Sequence, residues 1–256
     1  MSETTDQGAR RHIEVYADLD GVAHAAAELF VELCQTVVAG GGSFTVALSG
    51  GSTPRALHTL LASPPYQEQV DWSKVQFYWG DERFVPPDDA ESNYRMARET
   101  LLSHLKLDES HIHRFQTELG DPEASAAEYD QELRRQFNLE VGELPQFDLI
   151  FLGMGPDGHT ASLFPHTAGL QVRDRLAIAN YVPKLDSYRL TLTAPVINHA
   201  AVVAFLVAGD EKADTVARVL EGPSNPEELP SQLIAPEDGD LYWMLDQAAA
   251  ARLGGQ

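Results

Sequence analysis

The stretch "SFTVALSGGSTPRALHTLL", residues 43–61, decides the fold class. It opens with a short apolar run typical of a buried strand and then passes through two glycines. Pro54 stands where a helix can begin, and apolar residues follow at helical spacing. A strand that enters a helix through so short a loop is half of a βαβ unit, which predicts a parallel sheet flanked by helices.

Strand and helix patterns alternate in the same way along the rest of the chain. Strand-like runs occupy residues 12–17, 43–49, 75–80, 147–153, 176–182, 188–194 and 201–209. Helical patterns lie near residues 20–39, 54–62, 91–105, 122–138 and 210–221. These segments predict one α/β domain over residues 1–256, with a mostly parallel sheet and a polar, flexible N-terminus at about residues 1–11.

The charge balance restricts the partners that the protein can bind. The formal net charge is −21, and the 18 lysines and arginines form no basic cluster. Such a chain repels phosphate backbones and anionic lipid, so we expect neither nucleic acid nor a membrane as a partner. The N-terminus lacks the apolar core of a signal peptide, and the apolar runs are shorter than a membrane span, which favours a cytoplasmic protein. We expect a monomer or a small homo-oligomer.

The sequence gives little support for a metal site or a disulfide. Cys34 is the one cysteine, which excludes an internal disulfide and a cysteine-based zinc cluster, and its helical spacing favours a core thiol. His111 and His113 could form a zinc pair on one side of a strand, but no third ligand lies at a suitable spacing. We therefore expect no metal and no cofactor.

The loop that follows the first quoted strand has the composition of a phosphate-binding loop. Gly50 and Gly51 let the backbone approach an anion, and Ser52 and Thr53 add hydroxyl groups at the start of a helix. The loop is not a Walker motif, because no Gly-Lys-Ser or Gly-Lys-Thr follows it. An ordinary capped turn between strand and helix has the same composition, so the loop by itself leaves both interpretations open.

Charged residues follow two further strands. Asp81, Glu82 and Arg83 come directly after an apolar strand, where they are either solvated or substrate ligands. Arg189 begins a later strand, and Lys212 opens a helix after Gly209. If the carboxyl ends of these strands meet at one sheet edge, the two cations add positive charge there, although each alone is also compatible with an exposed surface.

The stretch "FDLIFLGMGPDGHTASLFPHT", residues 147–167, matches a dinucleotide fingerprint in its glycines. A true fingerprint needs a long helix after its third glycine, and Pro165 interrupts that segment here. The better interpretation is a glycine turn that presents Asp157 and His159 at the end of a strand. Histidine can take a proton from water near neutral pH and return it to a leaving group, so His159 is a candidate general base.

Four motifs together resemble those of the glucosamine-6-phosphate isomerase/6-phosphogluconolactonase family. They are "LSGGSTP", "WGDERFVPPDDAESNY", "GMGPDGHTASLFP" and "RLTLTAPVIN". The resemblance runs in order from about Phe44 to the terminal "LYWMLDQAA". It implies a three-layer αβα fold with a Rossmann-like sheet, similar to glucosamine-6-phosphate deaminase and ribose-5-phosphate isomerase. It also implies hydrolysis of 6-phosphoglucono-δ-lactone, a small-molecule substrate of the oxidative pentose phosphate pathway.

The same resemblance implies roles for individual residues. It makes His159 the general base that activates water. It places four further residues near the lactone, namely Asp157, Asp81, Glu82 and Arg83. It assigns the substrate phosphate to the glycine loop and two cations, namely Gly50, Gly51, Ser52, Thr53, Arg189 and Lys212.

Two rival functions use much of the same machinery. A sugar-phosphate isomerase or deaminase is similar in the glycine loop, in Asp81 and in "DGH", but such deaminases carry an "NEP" stretch soon after the histidine. Here that region reads "TASLFPHT", which favours the lactonase. A non-catalytic sugar-phosphate sensor would keep the phosphate loop without needing the pair Asp157 and His159.

Overall fold

The computed structural model describes residues 10–254. Strand β1 begins at Arg10 and includes Arg11, so the described structure places the last two residues of the predicted N-terminal segment in the sheet. Their pairing with β9, a strand near the C-terminus, holds them in extended conformation. The remainder of the predicted N-terminal segment, residues 1–9, lies outside the described residues.

The described chain contains nine strands. They are β1 (Arg10–Tyr16), β2 (Phe44–Leu48), β3 (Val75–Trp79), β4 (Asp81–Arg83), β5 (Leu149–Leu152), β6 (Ala177–Val182), β7 (Ser187–Leu192), β8 (Val202–Val207) and β9 (Asp240–Asp246). Six form a parallel sheet in the order β1-β9-β8-β5-β2-β3, and three form a small antiparallel sheet in the order β4-β7-β6. The mostly parallel α/β fold predicted from the alternation is confirmed.

Six α-helices accompany the strands in the described chain. They are α1 (Leu19–Ala39), α2 (Ser52–Leu61), α3 (Asn93–Thr100), α4 (Pro122–Gln136), α5 (Ala194–Asn198) and α6 (Ala213–Leu220). Helix α1 packs against β8, β9 and α2, whereas α4 packs against the small sheet through β6 and β7. The two sheets and their helices share one apolar core, in which Phe205 of β8 stacks on Trp243 of β9 at a centroid distance of 3.9 Å.

Several element predictions are wrong in instructive ways. The charged triplet from Asp81 to Arg83 is the short strand β4 and not a loop, because it pairs with β7. Strands β6 and β7 belong to the antiparallel sheet, where they are joined through a turn too short for a parallel crossover. Strand β9 was missed because it follows a Pro-rich stretch, and α5 was missed because it has only one turn.

Helix α1 is long and apolar enough to cross a membrane by length and composition, with a mean hydropathy of 1.4 in its most apolar window. This differs from the expectation that every apolar run is too short. Its buried residues, which include Val22, Ala26 and Phe30, lie in the core of the domain. The helix is apolar because it packs between other elements of the fold.

Every strand of the parallel sheet points in the same direction, so their carboxyl ends meet at one edge. The loops after β2, β3, β5 and β8 leave from this edge. Open α/β sheets bind ligands at such an edge. The fold therefore brings together the four loops that carry candidate site residues.

Helix α2 carries a fully buried histidine whose titration makes folding sensitive to acid. Burial, with a smaller contribution from Arg55, lowers the pKa of His58 to about 3. The imidazole stays neutral in the folded state but takes up a proton near pH 6.5 once unfolded. Stability is therefore complete above the unfolded pKa and falls as the pH drops from about 6.5 towards 3.

We expect His58 to remove about 2 kcal/mol from the free energy of unfolding between pH 7 and pH 5. Denaturant unfolding of the wild type and of His58→Gln at both pH values tests this. The loss of unfolding free energy between pH 7 and pH 5 should be smaller in His58→Gln by that amount. It should equal that of the wild type in the control His104→Gln, which replaces an exposed side chain. An equal loss in the wild type and His58→Gln would contradict the assignment.

Candidate active site

The glycine loop after β2 lies against the first residue of α3. A Cβ atom at Gly50 would lie 1.9 Å from Oδ1 of Asn93, so only glycine fits there. Gly51 has a φ of +112°, a conformation that favours glycine, and it precedes the first residue of α2. No side chain caps the start of α2, so backbone N–H groups remain available for an anion.

Ser52 and Thr53 differ in their access to this loop. Ser52 is exposed at the first position of α2, whereas Thr53 is buried with 6% of its surface exposed. The helix begins two residues before Pro54, earlier than the sequence indicated. The geometry therefore favours Ser52 and the N–H groups of the helix start as phosphate ligands, and direct contact by Thr53 stays a prediction.

Glu82 is the predicted site residue whose surroundings fit a structural role best. Its carboxylate is buried and accepts hydrogen bonds from the backbone N–H groups of Arg83, Asn93 and Tyr94 at 2.7–2.8 Å. It also accepts a bond from the hydroxyl of Ser92. Burial raises the pKa of Glu82, and these N–H groups oppose the shift. Both oxygens thus bond to the N-terminus of α3, and a contact between Glu82 and substrate stays a prediction.

Asp81 links three of the loops through its carboxylate. Oδ2 accepts a hydrogen bond of 2.7 Å from the hydroxyl of Ser162, which follows the glycine turn of β5. Oδ1 accepts a longer bond from the side-chain amide of Asn93, which also lies against Gly50. Asn93 and Ser162 were not identified from the sequence, although both stand inside the quoted motifs. Their relevance depends on contacts across the sheet edge that no local pattern reveals.

The turn after β5 holds His159 and Asp157 in direct contact. Oδ1 of Asp157 lies 2.5 Å from Nδ1 of His159 and also accepts the backbone N–H of His159. A carboxylate only accepts hydrogen bonds, so Nδ1 carries the proton and Nε2 of the neutral ring has a free lone pair. That is the arrangement a general base requires.

Glycines and neighbouring elements fix the shape of this turn. A Cβ atom at Gly155 would lie 2.1 Å from the imidazole of His159, and Gly158 has a φ of +79°. The hydroxyl of Thr215 on α6 donates to the carbonyl of Pro156, and Ser231 donates to the carbonyl of Gly158. These two hydrogen bonds hold the turn in place from two sides. The imidazole of His159 then stacks on Phe164, with ring centroids 4.0 Å apart.

Burial of the imidazole is the main cause that lowers the pKa of His159, which falls to about 4. Three cations, Lys212, Arg83 and Arg189, lower it further, and Asp81 opposes them. His159 is therefore neutral at pH 7 and able to accept a proton. These four charged groups are the predicted site residues that influence the pKa of His159 most strongly.

In the described residues, two of the three cations near His159 form no ion pair with a carboxylate. Arg83 and Arg189 lie opposite each other on β4 and β7, and in the described residues neither forms a salt bridge. Burial, together with the charge of Arg83, lowers the pKa of Arg189. Lys212 has only a contact of 3.8 Å with Glu211. An anion is the natural partner for three such cations.

Two alternatives considered from the sequence do not fit the geometry. The residues after Gly158 form turns and isolated bridges up to Thr167, and not the long helix that a dinucleotide fingerprint requires. His111 bonds to the carbonyl of Val75, and His113 lies between Glu132 and Gln76. Within residues 10–254, no cluster of three or more metal-ligating side chains was found.

Comparison with known proteins identifies the family. The family model described as glucosamine-6-phosphate isomerases/6-phosphogluconolactonase matches residues 17–243. The chain belongs to this family. The family resemblance inferred from the motifs is therefore confirmed over almost the whole chain.

Individual relatives within this family are similar over most of their length. A 6-phosphogluconolactonase from Nostoc sp. is 41% identical over 244 residues, which cover 95% of this chain and 99% of the relative. One from Synechocystis sp. is 44% identical over 212 residues, which cover 83% of this chain and 85% of the relative. The structure of the 6-phosphogluconolactonase from Trypanosoma cruzi superposes with a TM-score of 0.86 at 28% identity, covering 97% of this chain and 98% of that one.

Proposed function

We propose that the protein hydrolyses 6-phospho-D-glucono-1,5-lactone to 6-phospho-D-gluconate, the lactonase step of the oxidative pentose phosphate pathway, within a single domain. The names of the relatives support the reaction. The observation in the structure that supports it best is the neutral imidazole of His159, bonded to Asp157 and faced by three cations. A base beside an anion-binding surface suits a phosphorylated ester.

The mechanism follows from the free lone pair on Nε2 of His159. Nε2 accepts a proton from water as the oxygen attacks the lactone carbonyl, which forms a tetrahedral oxyanion. The imidazolium then donates that proton to the ring oxygen as the bond between C1 and the ring oxygen breaks. Asp157 holds the ring and stabilises the transient imidazolium, and no covalent intermediate is needed.

The cations divide between two negative groups of the substrate in this mechanism. The glycine loop, with Ser52 and the start of α2, holds the phosphate together with Arg189 and Lys212. Arg83 lies on β4 beside Asp81, and we assign it to the oxyanion. Asp81 orients the site through Ser162 and Asn93.

A deaminase or a non-catalytic sensor finds less support than a lactonase. The curated relatives at 41% and 44% identity are both named 6-phosphogluconolactonase. The residues after His159 lack the "NEP" stretch of the deaminases. A sensor would have no need of the bond between Asp157 and His159.

Removal of the base should lower turnover without preventing binding. We expect His159→Ala to reduce kcat for 6-phosphogluconolactone about 10²- to 10⁴-fold, with KM little changed. In the wild type, kcat/KM should stay level near neutral pH and fall as the pH drops through about 4, because the imidazole becomes protonated there. Near-normal turnover by His159→Ala, after correction for spontaneous hydrolysis, would remove His159 from the mechanism.

The close approach of Gly155 to His159 provides a more conservative test of the same base. A methyl group at Gly155 collides with the imidazole, whereas one at Gly153 meets no atom within 4 Å. We expect Gly155→Ala to lower kcat about 10²-fold or more, because small displacements of a reacting group cost that much. The matched control Gly153→Ala should retain most of the activity. Equal activity of the two variants would show that the position of His159 does not limit the reaction.

The phosphate should determine substrate preference. Loss of two charge-assisted hydrogen bonds lowers kcat/KM for unphosphorylated gluconolactone by roughly 10² or more. We expect Lys212→Ala to raise KM for the phosphorylated lactone much more than for the plain one. The exposed control Lys106→Ala should change neither, and assays over a salt series separate local contacts from general charge effects. Equal losses on both lactones would show that Lys212 does not bind the phosphate.

A further inference from the structure

Lys184 is a further cation beside the candidate site, and no sequence motif indicates its role. It lies in the turn between β6 and β7, within a short 3₁₀ helix from Pro183 to Leu185. Its ammonium group forms an ion pair with Oδ2 of Asp157, 27 residues away in the chain. The other oxygen of the same carboxylate is the one that contacts Nδ1 of His159.

Lys184 also contacts the second group that holds the imidazole. Its ammonium nitrogen lies 5.0 Å from the centroid of the Phe164 ring, within the range of a cation–π interaction. The ring of Phe164 also stacks on the imidazole of His159. One side chain therefore touches both residues that fix the orientation of the candidate base.

We propose that Lys184 is a positioning residue, which holds Oδ2 of Asp157 so that Oδ1 faces Nδ1 of His159 and Nε2 faces the substrate. This inference rests on the proposed function, in which Nε2 accepts a proton from water. A carboxylate bonded through one oxygen can rotate about its Cβ–Cγ bond. A second bond on the other oxygen restricts that rotation, and with it the orientation of the imidazole.

A contribution to fold stability is a poor explanation of this ion pair. The side chain of Lys184 is 54% exposed, and ion pairs of such exposed groups contribute little to stability. The ion pair is better explained by the restriction that it places on the Asp157 carboxylate. The same β6–β7 hairpin carries Arg189, so one element supplies both a cation for the anion and the restraint on Asp157.

The charge of Lys184 should also influence when His159 becomes protonated. The charged groups that face the imidazole are Asp157 on its own turn, Asp81 and Arg83 on β4, Arg189 on β7 and Lys212 after β8. The positive charge of Lys184 partly offsets the negative charge of the Asp157 carboxylate. Without it, that carboxylate stabilises the imidazolium more strongly, so protonation of His159 shifts to higher pH.

The decisive variants are Lys184→Met, which keeps an apolar side chain over Phe164 but removes the charge, and Lys184→Arg, which keeps the charge. We expect Lys184→Met to lower kcat for 6-phosphogluconolactone about 10-fold, with less than about a twofold change in KM. The pH at which kcat/KM falls on acidification should rise by about half a unit or more. Lys184→Arg should recover most of both properties, and the exposed control Lys106→Met should match the wild type.

A readout without substrate separates this proposal from the proposed function. The Hε1 resonance of His159 can be titrated by proton NMR in the wild type and in Lys184→Met. A higher midpoint in the variant supports the proposal even if the wild type hydrolyses no lactone, an outcome that would overturn only the proposed function. An unchanged midpoint overturns the proposal. A raised KM with unchanged kcat also overturns it, because Lys184 would then bind substrate directly.

Discussion

The hydrogen bond between Asp157 and Nδ1 of His159 is the interaction on which the proposed mechanism depends. It determines which nitrogen of the imidazole carries the proton, and therefore which one can accept a proton from water. The bond requires a tight turn, and Gly155 makes that turn possible because any side chain there would occupy the space of the ring. The fold supplies the rest by placing this turn at the end of a buried parallel strand.

Buried carboxylates at the same sheet edge organise the groups around His159. Glu82 holds the start of α3, Asp81 joins Ser162 to Asn93, and Asp246 accepts the backbone N–H of Gly209, which precedes the Lys212 turn. These carboxylates bond to N–H and O–H groups, and within the described part of the chain none of them forms an ion pair with Arg83 or Arg189. This explains how a chain with a net charge of −21 can still place three cations near His159.

The sequence predicted the parts of the fold and site that depend on local pattern. The strand before Gly50, the turn that carries His159 and the helices near residues 20–39 and 122–138 were predictable because periodicity and glycine placement specify them. The antiparallel pairing of β7 was not, because an apolar strand reads the same in either kind of sheet. The capping role of Glu82 and the contacts of Lys184 depend on residues brought together only by the tertiary fold.

The ionisation state of His159 tests the central claim most directly. In ¹⁵N-labelled protein at pH 7, with its ring signals assigned by comparison with His159→Gln, the two nitrogens can be read separately. We expect a neutral ring with Nδ1 protonated and Nε2 unprotonated, and protonation of Nε2 only as the pH falls towards about 4. An imidazolium at pH 7, or a neutral ring with the proton on Nε2, would contradict the account.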